Sequence, residues 1–206
     1  MADVVWAVRH GQRQDSVDPN WEANADRLHD PPLTELGRWA AWRVGRRFAA
    51  TPDSIDAVYT SPFFRAVETA DEICREIGRD VRLEPGLGEH RNPDWFDADP
   101  ETVPHEQLAE WFETVRLDHE PHVVPEFPEE TATALARIGE TTRRIAADAD
   151  GTVLLVGHGI TIGGVVQGLV GTADAADAPL CGLTRIERVE EGWSLDFSGE
   201  TTHLEE

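Results

Sequence analysis

Two histidines, each followed directly by glycine, stand at the ends of apolar runs: Arg9-His10-Gly11 follows residues 4–8, and Gly157-His158-Gly159 follows residues 152–156. A third polar cluster, Ser61-Pro62 with Arg65, ends another candidate strand. A neutral imidazole with one nitrogen tied by a hydrogen bond and the other free is a competent nucleophile toward phosphorus. Planar guanidinium forks suit phosphate oxygens. Charge on a transferred phosphoryl group spreads over its equatorial oxygens, so placed cations carry most of the catalysis. His10 is therefore the candidate nucleophile, with Arg9, Arg13, Arg65 and His158 as candidate phosphate ligands. A leaving alkoxide needs a proton, which a carboxylic acid with a raised pKa can supply. Glu89, just after Pro85-Gly86-Leu87-Gly88, is the best-placed donor, with Asp94 and Asp97 close by. Gly11 is expected to remove a side chain where the backbone passes close to the phosphate.

The other histidines, His29, His90, His105, His119 and His122, read as loop residues and not as ligands, although His90 can reach a substrate beside its neighbour Glu89. Trp95, Phe96, Trp111 and Phe112 are expected to pack the segment that carries them or to wall a pocket. A zinc site built from His10, His158 and His90 would lack any short ligand-spacing motif. Neither a metal nor a cofactor is expected.

Residues 3–8, 54–60, 81–83 and 152–156 read as strands, short and rich in Val, Leu and Ile. Trp193, Leu195 and Phe197 alternate as an edge strand should, after a turn at Glu191-Gly192. Thr34 is the candidate N-cap of a helix to about Ala50, with Leu36, Ala40, Val44 and Phe48 on its buried face. A helix carrying Ala66, Ala70, Ile73 and Ile77 stops at Gly78. Further helices are expected over 106–115, over 129–148 through Leu135, Ile138 and Ile145, and from His158 to about Leu169. Residues 12–32 read as a loop. Alternating strands and helices predict one domain over 1–206, a three-layer α/β/α sandwich with a mainly parallel sheet. In such sheets ligands bind beyond the carboxyl ends of the strands, where the three polar clusters fall. The irregular insertion at about 90–128 is expected over the active site as a lid or wall.

The chain has 206 residues, 40 of them acidic and 18 basic, every basic one Arg, for a net charge of -22. Phosphate backbones need basic surfaces, so nucleic acid is excluded as a partner. A convergence of arginines inside so acidic a chain predicts an anionic ligand. Self-repulsion at this charge destabilises a compact state unless counter-ions screen it, which predicts adaptation to a salt-rich cytoplasm. No apolar stretch is long enough to span a bilayer, and no membrane partner is expected. The N-terminal apolar run is cut short by Arg9 and does not read as a signal peptide. Cys74 and Cys181 are too few for a disulfide framework. A cytoplasmic location is the resulting expectation.

The pattern resembles the histidine phosphatase superfamily, the phosphoglycerate-mutase-like proteins. Arg9-His10-Gly11 after an N-terminal strand is similar to its signature, and Asp30-Pro31-Pro32-Leu33-Thr34 with Gly37 to its segment entering the first helix. Ser61-Pro62 with Arg65-Ala66 and Thr69-Ala70, then Gly157-His158-Gly159, resemble its later motifs, in the expected order over about 150 residues. The resemblance implies that His10 is phosphorylated, that Arg9, Arg65 and His158 hold the phosphate, and that Glu89 donates the proton. Arg9 to Arg13 with Asp30 to Thr34 look most like the branch that holds the phosphatase domains of the suppressor-of-T-cell-receptor-signalling proteins and the ecdysteroid-phosphate phosphatases. In that branch an arginine matching Arg13 joins the phosphate pocket. The implied activity is a histidine acid-type phosphomonoesterase acting on a small phosphorylated substrate or a phosphoprotein. Two other readings stand beside it. A phosphoglycerate mutase would return the phosphoryl group to a bound sugar acid, but residues 92–128 hold a single Arg, Arg116, where extra cations would be needed. A phosphate-binding module without turnover would have no use for both a nucleophile and an acid.

Overall fold

The computed structural model describes residues 1–51 and 54–205. Among them the elements run β1 (Ala2–Arg9), α1 (Trp21–Asn24), α2 (Glu35–Ala49), β2 (Ala57–Thr60), α3 (Phe64–Ile77) and β3 (Val81–Leu83). They continue with α4 (His105–Trp111), β4 (Val115–Arg116), α5 (Thr131–Asp148), β5 (Gly151–Gly157), α6 (Gly159–Val170), β6 (Leu183–Val189) and β7 (Gly192–Glu200). The strands form one sheet in the order β4-β3-β2-β5-β1-β6-β7. The first five in that order are parallel, and β6 and β7 are antiparallel additions. This is the predicted mainly parallel α/β/α sandwich.

Strand alternation decides which layer each side chain joins. In β1, Trp6 and Val8 pack with Val44, Phe48, Val67 and Ile73 of α2 and α3. Val5 and Ala7 point the other way and pack with Ile138, Ile145, Ile162 and Val165 of α5 and α6. Leu154 and Val156 of β5 share the first layer, and Val153 and Leu155 share the second. Thr34 caps α2 as expected, its Oγ1 accepting from Gly37 N at 2.9 Å. Gly78 ends α3 at φ +65, in the left-handed conformation that glycine adopts without steric cost.

Several expectations are corrected. Leu36 is 56 % exposed, and the buried face of α2 runs through Gly37, Ala41, Val44, Gly45 and Phe48, one residue around the helix. Residues 54–56 lie outside β2. The helix expected over 106–115 ends at Trp111, and Val115 instead extends the sheet beside Val81. The 12–32 loop contains the single turn α1. β6 was not expected at all, although it joins β1 to the edge strand β7.

Candidate active site

Hydrogen bonding between the parallel strands sets the floor of the site. Beyond the end of β1, His10 N donates to Gly157 O at 2.9 Å, and beyond β2, Ser61 N donates to Val156 O at 3.0 Å. Three neighbouring strand ends thus deliver His10, Ser61 and His158 to one place. β3 adds a fourth chain through the Pro85–Leu87 turn, which leads to Glu89. Atoms of His10, Glu89 and His158 lie within 4.8 Å of one another, and the two imidazole centroids are 5.3 Å apart. Arg65, in the first turn of α3, is 1 % exposed; its Nη2 donates to Glu89 Oε2 at 3.2 Å and its Nη1 to His29 O at 3.3 Å. Four of the six predicted residues therefore meet.

His10 Nδ1 lies 2.8 Å from Gly11 O. A carbonyl only accepts, so Nδ1 carries the proton and Nε2 keeps its lone pair. Burial, the Arg65 charge and His158 push this imidazole well below its ordinary pKa of 6.5, so it is neutral at neutral pH. His158 Nε2 lies 2.8 Å from Ser61 Oγ, which itself accepts from Phe63 N at 3.3 Å. The Ser61 hydroxyl hydrogen is thus free for Nε2, and the His158 proton is assigned to Nδ1, 3.3 Å from Glu89 Oε2 but misaligned for a hydrogen bond. Burial lowers His158 to about 4, against an opposing pull from Glu89.

Glu89 departs from expectation. Burial raises its carboxyl, but His158, Arg65 and His10 outweigh that and hold it well below the usual carboxylate range. In the free site it is an anion, not the acid with a raised pKa that the sequence suggested, because the Arg65 guanidinium and the His158 Nδ1–H that face it stabilise the carboxylate. Asp94 and Asp97 do not line the cavity described below.

That cavity, about 750 Å³, is lined by Arg9, Arg13, Arg65 and Glu89, and by apolar Leu28, Trp95, Phe96, Leu135 and Ile160. Arg9 Nη1 donates to Ala178 O at 2.8 Å, and Arg13 Nε lies 3.0 Å from Asp15. Arg9 Nε, Arg65 Nε and His158 Nδ1 are buried without a hydrogen-bond partner among the described residues. Unsatisfied buried donors at one site favour an anion that can accept from them. His10, Glu89 and His158 have metal-ligating chemistry too, but Arg65 at 3.2 Å from Glu89 sets a fixed cation among them and makes the site better matched to an anion. His90 is outside that group; its Nε2 donates to Glu129 O at 2.8 Å.

The insertion splits in two. His90, Asn92, Trp95 and Phe96 wall the cavity, whereas Trp111 and Phe112 pack on Phe64 and Leu108 enters the core at the sheet edge. Leu135 of α5 also faces the cavity. The role expected for Gly11 is also corrected: a Cβ there would meet Gly37 O at 2.5 Å, so the glycine serves contact between the His10 loop and α2.

Sequence reasoning missed the supports. Thr69 Oγ1 accepts from Gly11 N at 3.1 Å. Asp30 Oδ1 accepts from Phe64 N at 2.6 Å and fixes the start of α3. Arg137, buried on α5, donates to Gly86 O at 2.8 Å and Gly88 O at 3.2 Å while two nitrogens grip Glu129. It braces the turn that carries Glu89. The available signal was an Arg at a core-facing helical position, three residues after Ala134 and four before Thr141.

A parallel sheet gathers two buried histidines, a buried arginine and a carboxylate beneath an arginine-lined cavity, an arrangement suited to a phosphate ester. Residues 5–201 match the Histidine phosphatase superfamily (branch 1), and the chain belongs to that superfamily. It is 30 % identical to a probable phosphoglycerate mutase of Photorhabdus laumondii, over 98 % of this chain and 94 % of that protein. It is 27 % identical to an ecdysteroid-phosphate phosphatase of Drosophila melanogaster over 81 % of this chain, spanning only 24 % of that longer protein. The crystal structure of the ecdysone phosphate phosphatase of Bombyx mori with tungstate shares the fold, at a TM-score of 0.78 and 24 % identity, covering 94 % of this chain and 91 % of that one. Membership makes phosphatase or phosphoryl-transfer chemistry the activity class. No helix among the described residues is long and apolar enough to cross a membrane.

Proposed function

We propose that the chain, a single catalytic domain, is a phosphomonoesterase that works through a phosphohistidine on His10. The observation that carries this reading is the free Nε2 lone pair of a neutral His10 held beside Arg65, His158 and Glu89. Arg9, Arg13 and Arg65 bind the phosphate, with His158 Nδ1–H as a further donor. The phosphate dianion takes over the Arg65 charge that keeps Glu89 ionised and adds its own repulsion, so the carboxyl gains a proton on binding. His10 Nε2 then attacks phosphorus, the ester P–O bond breaks, and Glu89 protonates the leaving alkoxide. In the second half, water attacks the phosphohistidine and gives its proton to Glu89; inorganic phosphate leaves and neutral His10 is restored.

The apolar lining from Leu28, Trp95, Phe96, Leu135 and Ile160 suits an ester whose alcohol is bulky and apolar, in a small molecule or on a phosphoprotein. The relative named a probable phosphoglycerate mutase favours a second reading, return of the phosphoryl group to a bound sugar acid. Against it, Arg116, the single Arg of residues 92–128, pairs with Asp80 at 2.8 Å and does not line the cavity. Incubation with para-nitrophenyl phosphate and separately with 3-phosphoglycerate decides. Nitrophenol release that disappears in His10→Ala supports the phosphatase; interconversion of phosphoglycerates supports the mutase; silence in both leaves a binding module. The proposal extends to a salt-rich cytoplasm as the working medium, supported by the charge of -22 and two buried, unpaired thiols.

A further inference from the structure

We propose that Glu84, His119 and His122 form a binding site for one divalent transition-metal ion of the zinc class, separate from the phosphate cavity. Their ligand atoms lie within 4.8 Å of one another. None of the three lines the cavity where phosphate would bind.

Glu84 follows β3 and its side chain is wholly buried. Its Oε1 accepts from Gly86 N at 2.9 Å and its Oε2 from His122 N at 2.9 Å, which fixes the carboxylate against the loop after β4. There His119 Nε2 donates to Oε2 at 2.9 Å, a proton whose place an ion would take, and the His119 and His122 rings are 5.2 Å apart. Two imidazoles and one carboxylate are a zinc donor set that leaves a fourth position open. With metal–ligand bonds of about 2.0–2.2 Å, two atoms across a tetrahedral ion sit roughly 3.4 Å apart, so His119 and Glu84 need part by only about half an ångström. Mixed nitrogen and oxygen donors without thiolate favour zinc, nickel or copper over magnesium or calcium.

The surroundings supply charge and hold the loop. Asp148 Oδ2 lies 3.9 Å from His122 Nδ1 and adds a negative group. Arg144 donates to His122 O at 2.9 Å, its own charge matched by Glu140 at 2.7 Å. The Tyr59 ring packs edge-on against His119, 5.1 Å between centroids. An ion there would tie the return loop of the insertion to the sheet and brace the turn that leads to Glu89. The sequence alone shows only a His-x-x-His pair; Glu84, 35 residues earlier, is what makes it a ligand set.

The test uses the full chain, stripped with chelator and then dialysed against zinc, with bound metal counted by elemental analysis and melting followed with and without zinc. One zinc per chain, and a melting temperature raised by zinc, are expected. His119→Ala and His122→Ala should each weaken binding by at least about tenfold and abolish the thermal shift. A protein carrying both His10→Ala and Glu89→Gln should still bind one zinc, which separates this site from the active-site cluster. Failure of the wild type to retain zinc, equal binding by His119→Ala and His122→Ala, or loss of binding in the active-site double variant would each overturn the proposal.

Discussion

His10 and His158 are both buried imidazoles, yet their partners give them different protonation patterns. Gly11 O ties up Nδ1 of His10 and leaves Nε2 with its lone pair, whereas Ser61 takes Nε2 of His158 and turns Nδ1–H toward Glu89. Removing a cation that acts on the transferred phosphoryl group should be costly. Arg65→Ala is expected to lower kcat on the order of 10²–10³, and Arg65→Lys to restore only part of it, since a point charge lacks the fork. Glu89→Gln should slow an alkyl phosphate far more than para-nitrophenyl phosphate, whose leaving group needs no proton; steady-state kinetics on the two esters checks this. The imidazoles also predict a pH effect. Both folded-state pKa values lie below the ordinary 6.5, so below that pH the unfolded chain takes up protons that the folded chain does not. The associated stability is complete above pH 6.5 and is lost as pH falls toward about 4, with Glu89 adding a loss of the same sign at lower pH. Urea titrations from about pH 7 to pH 5 should show a shallower decline in His158→Asn than in the wild type.

Each proposed catalytic group is held by an element whose ends are specifically fastened. The loop after β1 rests on α2 so closely that a Cβ on Gly11 has no room, meeting Gly37 O at 2.5 Å. Gly11→Ala should therefore lower both stability, by about 1–3 kcal/mol, and turnover, since His10 moves with the loop. Thr34→Ala removes the cap on Gly37 N and should cost about 1 kcal/mol in urea denaturation with a smaller effect on kcat. The sequence showed the strand-to-site junctions plainly, because buried parallel strands are continuous apolar runs and each is broken by a polar cluster. It did not show β4, which is two residues long, or β6, whose Leu183, Ile186 and Val189 recur every third residue and hide the period of two. Trp193, Leu195 and Phe197 alternate in sequence, but the register shifts opposite Arg185 and Ile186, and Phe197 packs on Trp6 in the other layer. Leu36 misled for a related reason: α2 turns its glycines inward for close approach and leaves a leucine outside. Asp30 and Thr69 lie in motifs the sequence displays, but their contacts, like those of Arg137, were illegible because the partners are 34, 58 and 51 residues away.

On the scale of the whole molecule, an acid excess of 22 surrounds a cavity lined by three arginines. The overall field repels phosphate esters, and the local one attracts them. Salt screens the long-range part and leaves buried pairs such as Arg65–Glu89 largely intact. Melting temperature is expected to rise steadily from dilute buffer to molar KCl, with KM for an anionic ester falling over the first part of the series. Maximal stability in dilute buffer would remove the case for a salt-adapted protein without touching the active-site reading. The expectation of an anionic ligand came from two scales together, arginines clustered by motif within an acidic whole. The identity of the alcohol was not legible, because its wall is assembled from the loop before α2, the insertion, α5 and α6.

Covalent capture on His10 tests the proposed phosphohistidine chemistry at its reacting atom. Enzyme mixed briefly with a phosphate ester and quenched in alkali, where phosphohistidine survives, is digested and read by mass spectrometry. One phosphoryl group is expected, on the peptide containing His10, with neither adduct nor turnover in His10→Ala. Turnover that persists in His10→Ala, or a phosphoryl group carried by another residue, would contradict that chemistry.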